Sequence, residues 1–147
     1  MGLCSGHFRT GVHPYGIVFD GAYIWVTNTS DNTVTKLRAT DGAALGTFPT
    51  GGDTGGNFQG ITFDGANIWV TNAASDTVTK LRATDGSVLG TFPTGTNPFG
   101  VVFDGANILV ANVNSDTVTK LRATDGVLLG TFPAGTNPGT PDLRGRL

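Results

Sequence analysis

Gly60-Ile61-Thr62-Phe63-Asp64-Gly65-Ala66-Asn67-Ile68-Trp69-Val70-Thr71-Asn72 recurs from Gly100 to Asn112 and, with more changes, from Gly16 to Asn28. The steps between copies are 44 and 40 residues, and Gly60–Pro93 differs from Gly100–Pro133 at only 8 of 34 positions. A fixed period of this length marks a solenoid, a propeller or an array. Each unit is one supersecondary element that buries its apolar faces on its neighbours. Near-copies also constrain function. A catalytic site usually assembles different side chains in one place, whereas this chain offers the same ones three times.

Each unit reads as four short strands. In the second, Gly60–Phe63 ends at Asp64-Gly65, Ile68–Asn72 ends at Ala73-Ala74-Ser75-Asp76, and Thr77–Arg82 ends at Thr84-Asp85-Gly86-Ser87. Val88–Phe92 follows and is closed by Pro93. Asp-Gly between apolar runs is a strong hairpin signal and leads us to expect type I′ turns, with positive φ at both central residues. Four strands meandering through tight turns in forty residues is the layout of a propeller blade. With Thr29–Asn32 as the second turn, Asn28 faces Thr33, and the register pairs Trp25 with Lys36, Ile24 with Leu37 and Val26 with Thr35. Directly opposed residues on one face touch. Trp25–Lys36 and Trp69–Lys80 are therefore expected to be partly exposed cation–π pairs, each contributing about 0.5–1 kcal/mol. Leu109 replaces the Trp opposite Lys120. Both faces of a unit are apolar, which requires a neighbour on each side. Gly16, Gly60 and Gly100 open the first strands, where backbones crowd around an axis.

Composition narrows the function classes. The chain of 147 residues has a formal net charge of −2, and all 11 acidic residues are Asp. Six of the 9 basic residues fall at matched repeat positions and the basic residues are not gathered into a run, so a nucleic-acid partner is not expected. No run of 18 apolar residues is present and no charged-then-apolar leader opens the chain, so a soluble protein without a membrane span or signal peptide is expected, its compartment unassigned. The single Cys4 reads as a small packed residue.

The runs Ile24-Trp25-Val26-Thr27-Asn28 and Ile68-Trp69-Val70-Thr71-Asn72, each followed by Thr-Val-Thr-Lys-Leu, resemble the YVTN family of β-propeller repeats. That family includes YncE-like proteins and relatives of streptogramin lyases, and the resemblance covers residues 6–138. It implies a propeller, of roughly seven blades in typical members, with partner or ligand surfaces on the loop faces. Its members have been linked to scaffolding, to DNA contact and, in the lyase branch, to metal-assisted ring opening. That branch would use His with an acidic partner at the channel mouth. Here only His7 and His13 exist, Glu is absent and no His recurs. No catalytic residue is carried over, and neither a cofactor nor a metal is expected.

The expected fold is therefore all-β, with blades of four antiparallel strands at 16–59, 60–99 and 100–138. Residues 1–15 read as the outer strand of a preceding blade plus a connector, because Gly6–Gly11 aligns with Gly90–Gly95, and 139–147 read as an off-pattern tail. Three blades are too few to close a ring. The expectation is a homodimer that forms a six-bladed ring, the spare N-terminal strand pairing with the partner's last blade or bracing its edge; the competing account is a three-repeat fragment of a longer array or a decaying gene. Candidate binding residues are the polar groups of the rim loops: His13, Asn28, Asp31, Asp53, Asn57, Asn72, Asp76, Asn97, Asn112 and Asp116. Asn and Asp also suit turns by bonding their own backbone, and their spacing matches no dedicated Ca²⁺ loop. His13 aligns with Asn97 and reads first as a turn residue. The loop Thr50–Gln59 is four residues longer than its sister and breaks the symmetry. No helix follows it, as a phosphate cradle would need. The reading is a non-enzymatic binding or scaffold module, for a protein or polymer partner on the loop rims. The alternative is a lyase- or lactonase-like enzyme with a metal at the channel mouth.

Overall fold

The computed structural model describes residues 10–53 and 59–135. Among the described residues, twelve strands form three separate four-stranded antiparallel sheets, each built from consecutive strands. Blade 1 holds β1 (Pro14–Phe19), β2 (Tyr23–Asn28), β3 (Thr33–Arg38) and β4 (Ala44–Pro49). Blade 2 holds β5 (Ile61–Phe63), β6 (Asn67–Asn72), β7 (Thr77–Arg82) and β8 (Val88–Pro93). Blade 3 holds β9 (Pro98–Phe103), β10 (Asn107–Asn112), β11 (Thr117–Arg122) and β12 (Leu128–Pro133). The first strands are innermost, since β5 packs beside both β1 and β9. The N-terminal strand and the tail expected from the sequence lie outside the described residues.

Local chemistry explains the turns, and it differs from the type I′ expectation. Only the glycine takes positive φ, at 98° for Gly21, 95° for Gly65 and 103° for Gly105. The aspartate before it keeps ordinary φ and accepts two backbone N–H groups through Oδ1: from Ala22 (3.0 Å) and Tyr23 (2.7 Å) at Asp20, from Ala66 (2.9 Å) and Asn67 (2.7 Å) at Asp64. An Asx turn thus replaces the mirror-image turn. The second carboxylate oxygen braces the sheet, because Trp25 Nε1 donates to Asp20 Oδ2 and Trp69 Nε1 to Asp64 Oδ2, each at 2.7 Å.

The core consists of the joints between blades. Trp25 and Val34 of blade 1 meet Ile68, Val70 and Leu81 of blade 2, with Phe48 packed against them. Trp69 and Val78 of blade 2 meet Val101, Ile108, Val110 and Leu121 of blade 3, with Phe92 in the corresponding place. One blade's outgoing face therefore packs on the next blade's incoming face, twice, with the same residue types. Gly16 and Gly60 let the blades approach. A Cβ on Gly16 would lie 2.7 Å from the Gln59 carbonyl oxygen, and one on Gly60 would lie 2.2 Å from that of Phe99. Thr27 Oγ1 and Thr71 Oγ1 donate to these same carbonyls, at 3.2 and 2.9 Å.

The register pairs Trp25 with Lys36 and Trp69 with Lys80, as the turn lengths require. The ammoniums sit 5.2 and 5.4 Å from the indole centroids, and Lys36 also lies 4.2 Å from the Tyr23 ring. These lysines are not the partly exposed groups expected, being only 7% and 8% accessible. Each crosses the joint. Lys36 Nζ donates to the carbonyls of Ala83 (2.9 Å) and Thr84 (3.3 Å) of blade 2, and Lys80 Nζ to those of Ala123 (2.9 Å) and Thr124 (3.0 Å) of blade 3.

Two outcomes are expected. Lys80→Met keeps the stem but removes both charge-assisted bonds, and should destabilise the chain by about 2 kcal/mol, read as a lower urea midpoint at unchanged slope. Burial acts to raise the Asp20 pKa, but the bonds from Trp25, Tyr23 and Ala22 and the charge of Lys36 outweigh it, so the carboxyl lies below its ordinary value. A depressed native pKa stabilises the fold above the unfolded value of about 3.9 and loses that contribution as pH falls through the native value. Urea midpoints should therefore fall below about pH 4, and Asp20→Asn should flatten that fall.

Candidate functional site

The rim that carries the sequence-derived candidates is built from the second turn of each blade and the loop leading into its first strand. Asn28, Asn72 and Asn112 end the second strands and are buried. Each amide donates across the hairpin to two hydroxyls. Asn28 Nδ2 reaches Thr33 (3.1 Å) and Thr35 (3.0 Å), Asn72 reaches Thr77 (3.1 Å) and Thr79 (2.8 Å), and Asn112 reaches Thr117 (3.1 Å) and Thr119 (2.8 Å). The amide oxygens of Asn28 and Asn72 turn to the incoming loop, accepting from Gly11 N at 2.9 Å and from Gln59 Nε2 at 3.4 Å. These are knots that tie turn to loop.

The acidic candidates of the second turns occupy two different positions. Asp31 corresponds to Ser75 and Ser115. Its Oδ2 accepts Val12 N at 2.9 Å, where Ser75 Oγ accepts Asp53 N and Ser115 Oγ accepts Thr96 N, both at 3.1 Å. Asp76 and Asp116 correspond instead to Asn32, and all three adopt positive φ, at 56°, 54° and 56° in that order. Asn and Asp are the side chains that tolerate this region. Asp76 Oδ1 also holds Asn97 N of the next blade at 2.8 Å. His13 and Asn97 occupy one left-handed turn position, at φ 54° and 58°, and the His13 ring hydrogen-bonds Ser30 Oγ. The Asp53 carbonyl accepts Ala74 N (2.9 Å) and Ser75 N (3.1 Å). Asn57 and His7 lie outside the described residues. Among the described residues no three His, Cys, Asp or Glu side chains converge as a metal site would require.

The opposite rim carries a set that sequence reasoning missed. Arg38–Asp41, Arg82–Asp85 and Arg122–Asp125 form exposed ion pairs at 2.9, 3.3 and 3.0 Å across the third turn of each blade. Just beyond, every outer strand is bulged. Lys36 pairs with Gly46 and Leu37 with Ala44, leaving Leu45 as the extra residue, and Leu89 and Leu129 are left in the same way. A bulge re-aims a side chain and breaks edge pairing. All three leucines are exposed. Their signal in the sequence was the recurring Leu-Gly-Thr-Phe-Pro, read only as a fourth strand. Two clefts open between blades on this side, of about 550 Å³ beside Lys80, Asn107 and Arg122 and about 340 Å³ beside Asp20, Tyr23 and Lys36. The lysine in each is already bonded to the next blade's carbonyls.

Asn72→Ala should cost about 2 kcal/mol of stability, since it frees the buried Thr79 hydroxyl and one bond of the half-buried Thr77. His13→Asn should stay within about 0.5 kcal/mol, because Asn takes the same turn position in blade 3. Paired urea titrations check both.

No protein-family model matches the chain, and no curated protein sequence matches it significantly. Solved structures do. The hydrazine synthase of Kuenenia stuttgartiensis superposes with a TM-score of 0.76 at 20% identity, over 93% of this chain and 41% of that one. A streptogramin B lyase gives 0.66 at 19% identity over 84% and 41%, and the glutaminyl cyclase of Myxococcus xanthus 0.63 at 13% over 85% and 55%. The chain thus spans about two-fifths to just over half the length of these proteins. No helix among the described residues is long and apolar enough to cross a membrane. Three four-stranded blades that superpose on part of larger propellers make this chain a partial β-propeller.

Proposed function

We propose that the chain is a non-enzymatic β-propeller module that presents a repeated binding surface to a protein or polymer partner. The observation that carries this reading is the threefold corner, a bulged exposed leucine beside an exposed Arg–Asp pair, recurring at Leu45, Leu89 and Leu129. An exposed apolar group flanked by both charge signs suits a partner that repeats at the blade spacing, and three weak contacts add through effective concentration. The polar side chains of the other rim are engaged in holding turns to loops, so that rim supplies shape more than chemistry. In the assembled form, two chains complete one six-bladed ring, which doubles the array of corners.

The lyase- or lactonase-like alternative places its chemistry at the channel mouth instead. Chemical cross-linking with mass spectrometry separates the two readings. The leucine variant Leu45→Ser/Leu89→Ser/Leu129→Ser should lose the partner captured by the wild-type chain, single substitutions should lose it in graded steps, and a Ser30→Ala/Asn114→Ala rim variant should retain it. Capture that survives in the leucine variant would overturn the proposal, as would metal-dependent lactone or cyclic-peptide cleavage by the purified chain.

A further inference from the structure

The two joints inside the chain define what a joint needs, and the chain's two open flanks carry its two halves. On the incoming side, Phe63, Ile68, Leu81 and Ala83 of blade 2 receive blade 1, and Phe103, Ile108, Leu121 and Ala123 of blade 3 receive blade 2. Blade 1 has the same four residue types at Phe19, Ile24, Leu37 and Ala39, with no blade before it among the described residues. Its flank is open along the first strand, where Ile17 is 66% and Phe19 57% accessible against 8% for Val101 at the position of Ile17, while Val26 and Leu37 behind it are buried. Ala39 is exposed where Ala123 is buried.

The outgoing flank of blade 3 is the other half. Lys120 occupies the position of Lys36 and Lys80 but makes no hydrogen bond among the described residues. Val102 and Phe132 are 55% and 48% accessible. Gly100 has only the Ala111 Cβ within reach of an added methyl, at 3.9 Å, where Gly16 and Gly60 each meet a neighbouring backbone. Two substitutions separate this flank from both other outgoing flanks, Leu109 for Trp and Ala111 for Thr. Each removes a polar atom. In the internal joints the indole N–H serves the Asp of its own blade and the threonine hydroxyl a carbonyl of the next blade. Replacing them with aliphatic groups leaves a patch that calls for an apolar cover.

We propose that this cover is the incoming flank of blade 1 of a second copy of the chain, with Lys120 Nζ donating to the carbonyls of the second copy's Ala39 and Thr40. The surfaces match because the receiving residues of blade 1 are those that already receive Lys36 and Lys80 elsewhere. The joint is head-to-tail, and two such joints related by a twofold axis close six blades, within the four-to-eight range of propeller rings. Three copies would give nine blades, outside it. Without the Trp and Thr of the internal joints the contact is the weakest in the ring, and the dimer dissociates on dilution. The inference deepens the six-bladed assembly proposed above and rests on that part of it, and it is independent of the corners as a partner surface, since its tests read mass alone.

Light scattering coupled to size exclusion on the full chain tests the joint. The expected mass is twice 15.1 kDa, falling to one chain on dilution. Lys120→Met and Ala39→Arg, on opposite flanks, should each weaken the dimer about tenfold or more. Leu109→Trp/Ala111→Thr should tighten it about tenfold, by restoring the internal form of the joint. Mixing Lys120→Met chains with Ala39→Arg chains should partly restore the dimer, because one of its two joints is then intact. A single-chain mass at every concentration would overturn the proposal, as would larger open assemblies or a dimer indifferent to both flanks. So would two folded monomeric variants that fail to complement one another.

Discussion

A lysine ammonium that crosses from one blade to the turn carbonyls of the next is the constraint on which the rest of this structure depends. A buried ammonium is tolerated only when its donors are satisfied. Lys36 and Lys80 meet that condition with an indole face and two carbonyls supplied by a different sheet. The requirement propagates. The second strand must place Trp opposite Lys, the first turn must brace that Trp through Asp, and the outer strand must be glycine where it faces the lysine, at Gly46 and Gly90. Phe48 and Phe92 then fold over those glycines and reach Gly86 and Gly126 of the following blade, where an added Cβ would lie 2.2–2.4 Å from the nearest ring atom. One charge thus dictates residues on all four strands of its blade, or on the turns between them, and on the turn of the next.

Most of the fold was legible because copies repeat and because side chains alternate along a strand. Asn28 facing Thr33 settled which residues share a face, and that register holds in every blade. The acceptors of the lysines were not legible. A backbone carbonyl leaves no mark in the sequence, so Lys36 read as a partly exposed companion of Trp25. The turn class was misread for a related reason. Asp-Gly is compatible with two turn families, and the choice rests on whether the carboxylate finds the N–H groups two and three residues ahead, as Asp20 and Asp64 do.

The candidate site was legible in part. Asn28, Asn72 and Asn112 recur at a loop rim because each amide donates to two threonine hydroxyls across its hairpin, and at Asn28 and Asn72 the amide oxygen also ties the turn to the incoming loop. Asp31 and Asp76 lie one position apart in their turns, and only the structure shows that one receives a loop N–H while the other turns the chain through positive φ. The corner leucines were passed over because an alternating strand gives no warning of a bulge. Only the pairing of Lys36 with Gly46 and Leu37 with Ala44 shows that Leu45 is extra.

The third strands β3, β7 and β11 share one sequence, Thr-Val-Thr-Lys-Leu-Arg. Their contacts alone leave a chain emerging from its synthesis free to exchange one for another and thread a blade from the wrong repeat. What distinguishes them is time. Within each blade every strand pairs with its immediate neighbour in sequence, so closing the correct hairpin spans a few residues while an exchange spans about forty, and short loops close first. Order of arrival thus assigns identical strands to their places. A lengthened turn within a blade would erode that advantage before it weakened any contact in the finished fold.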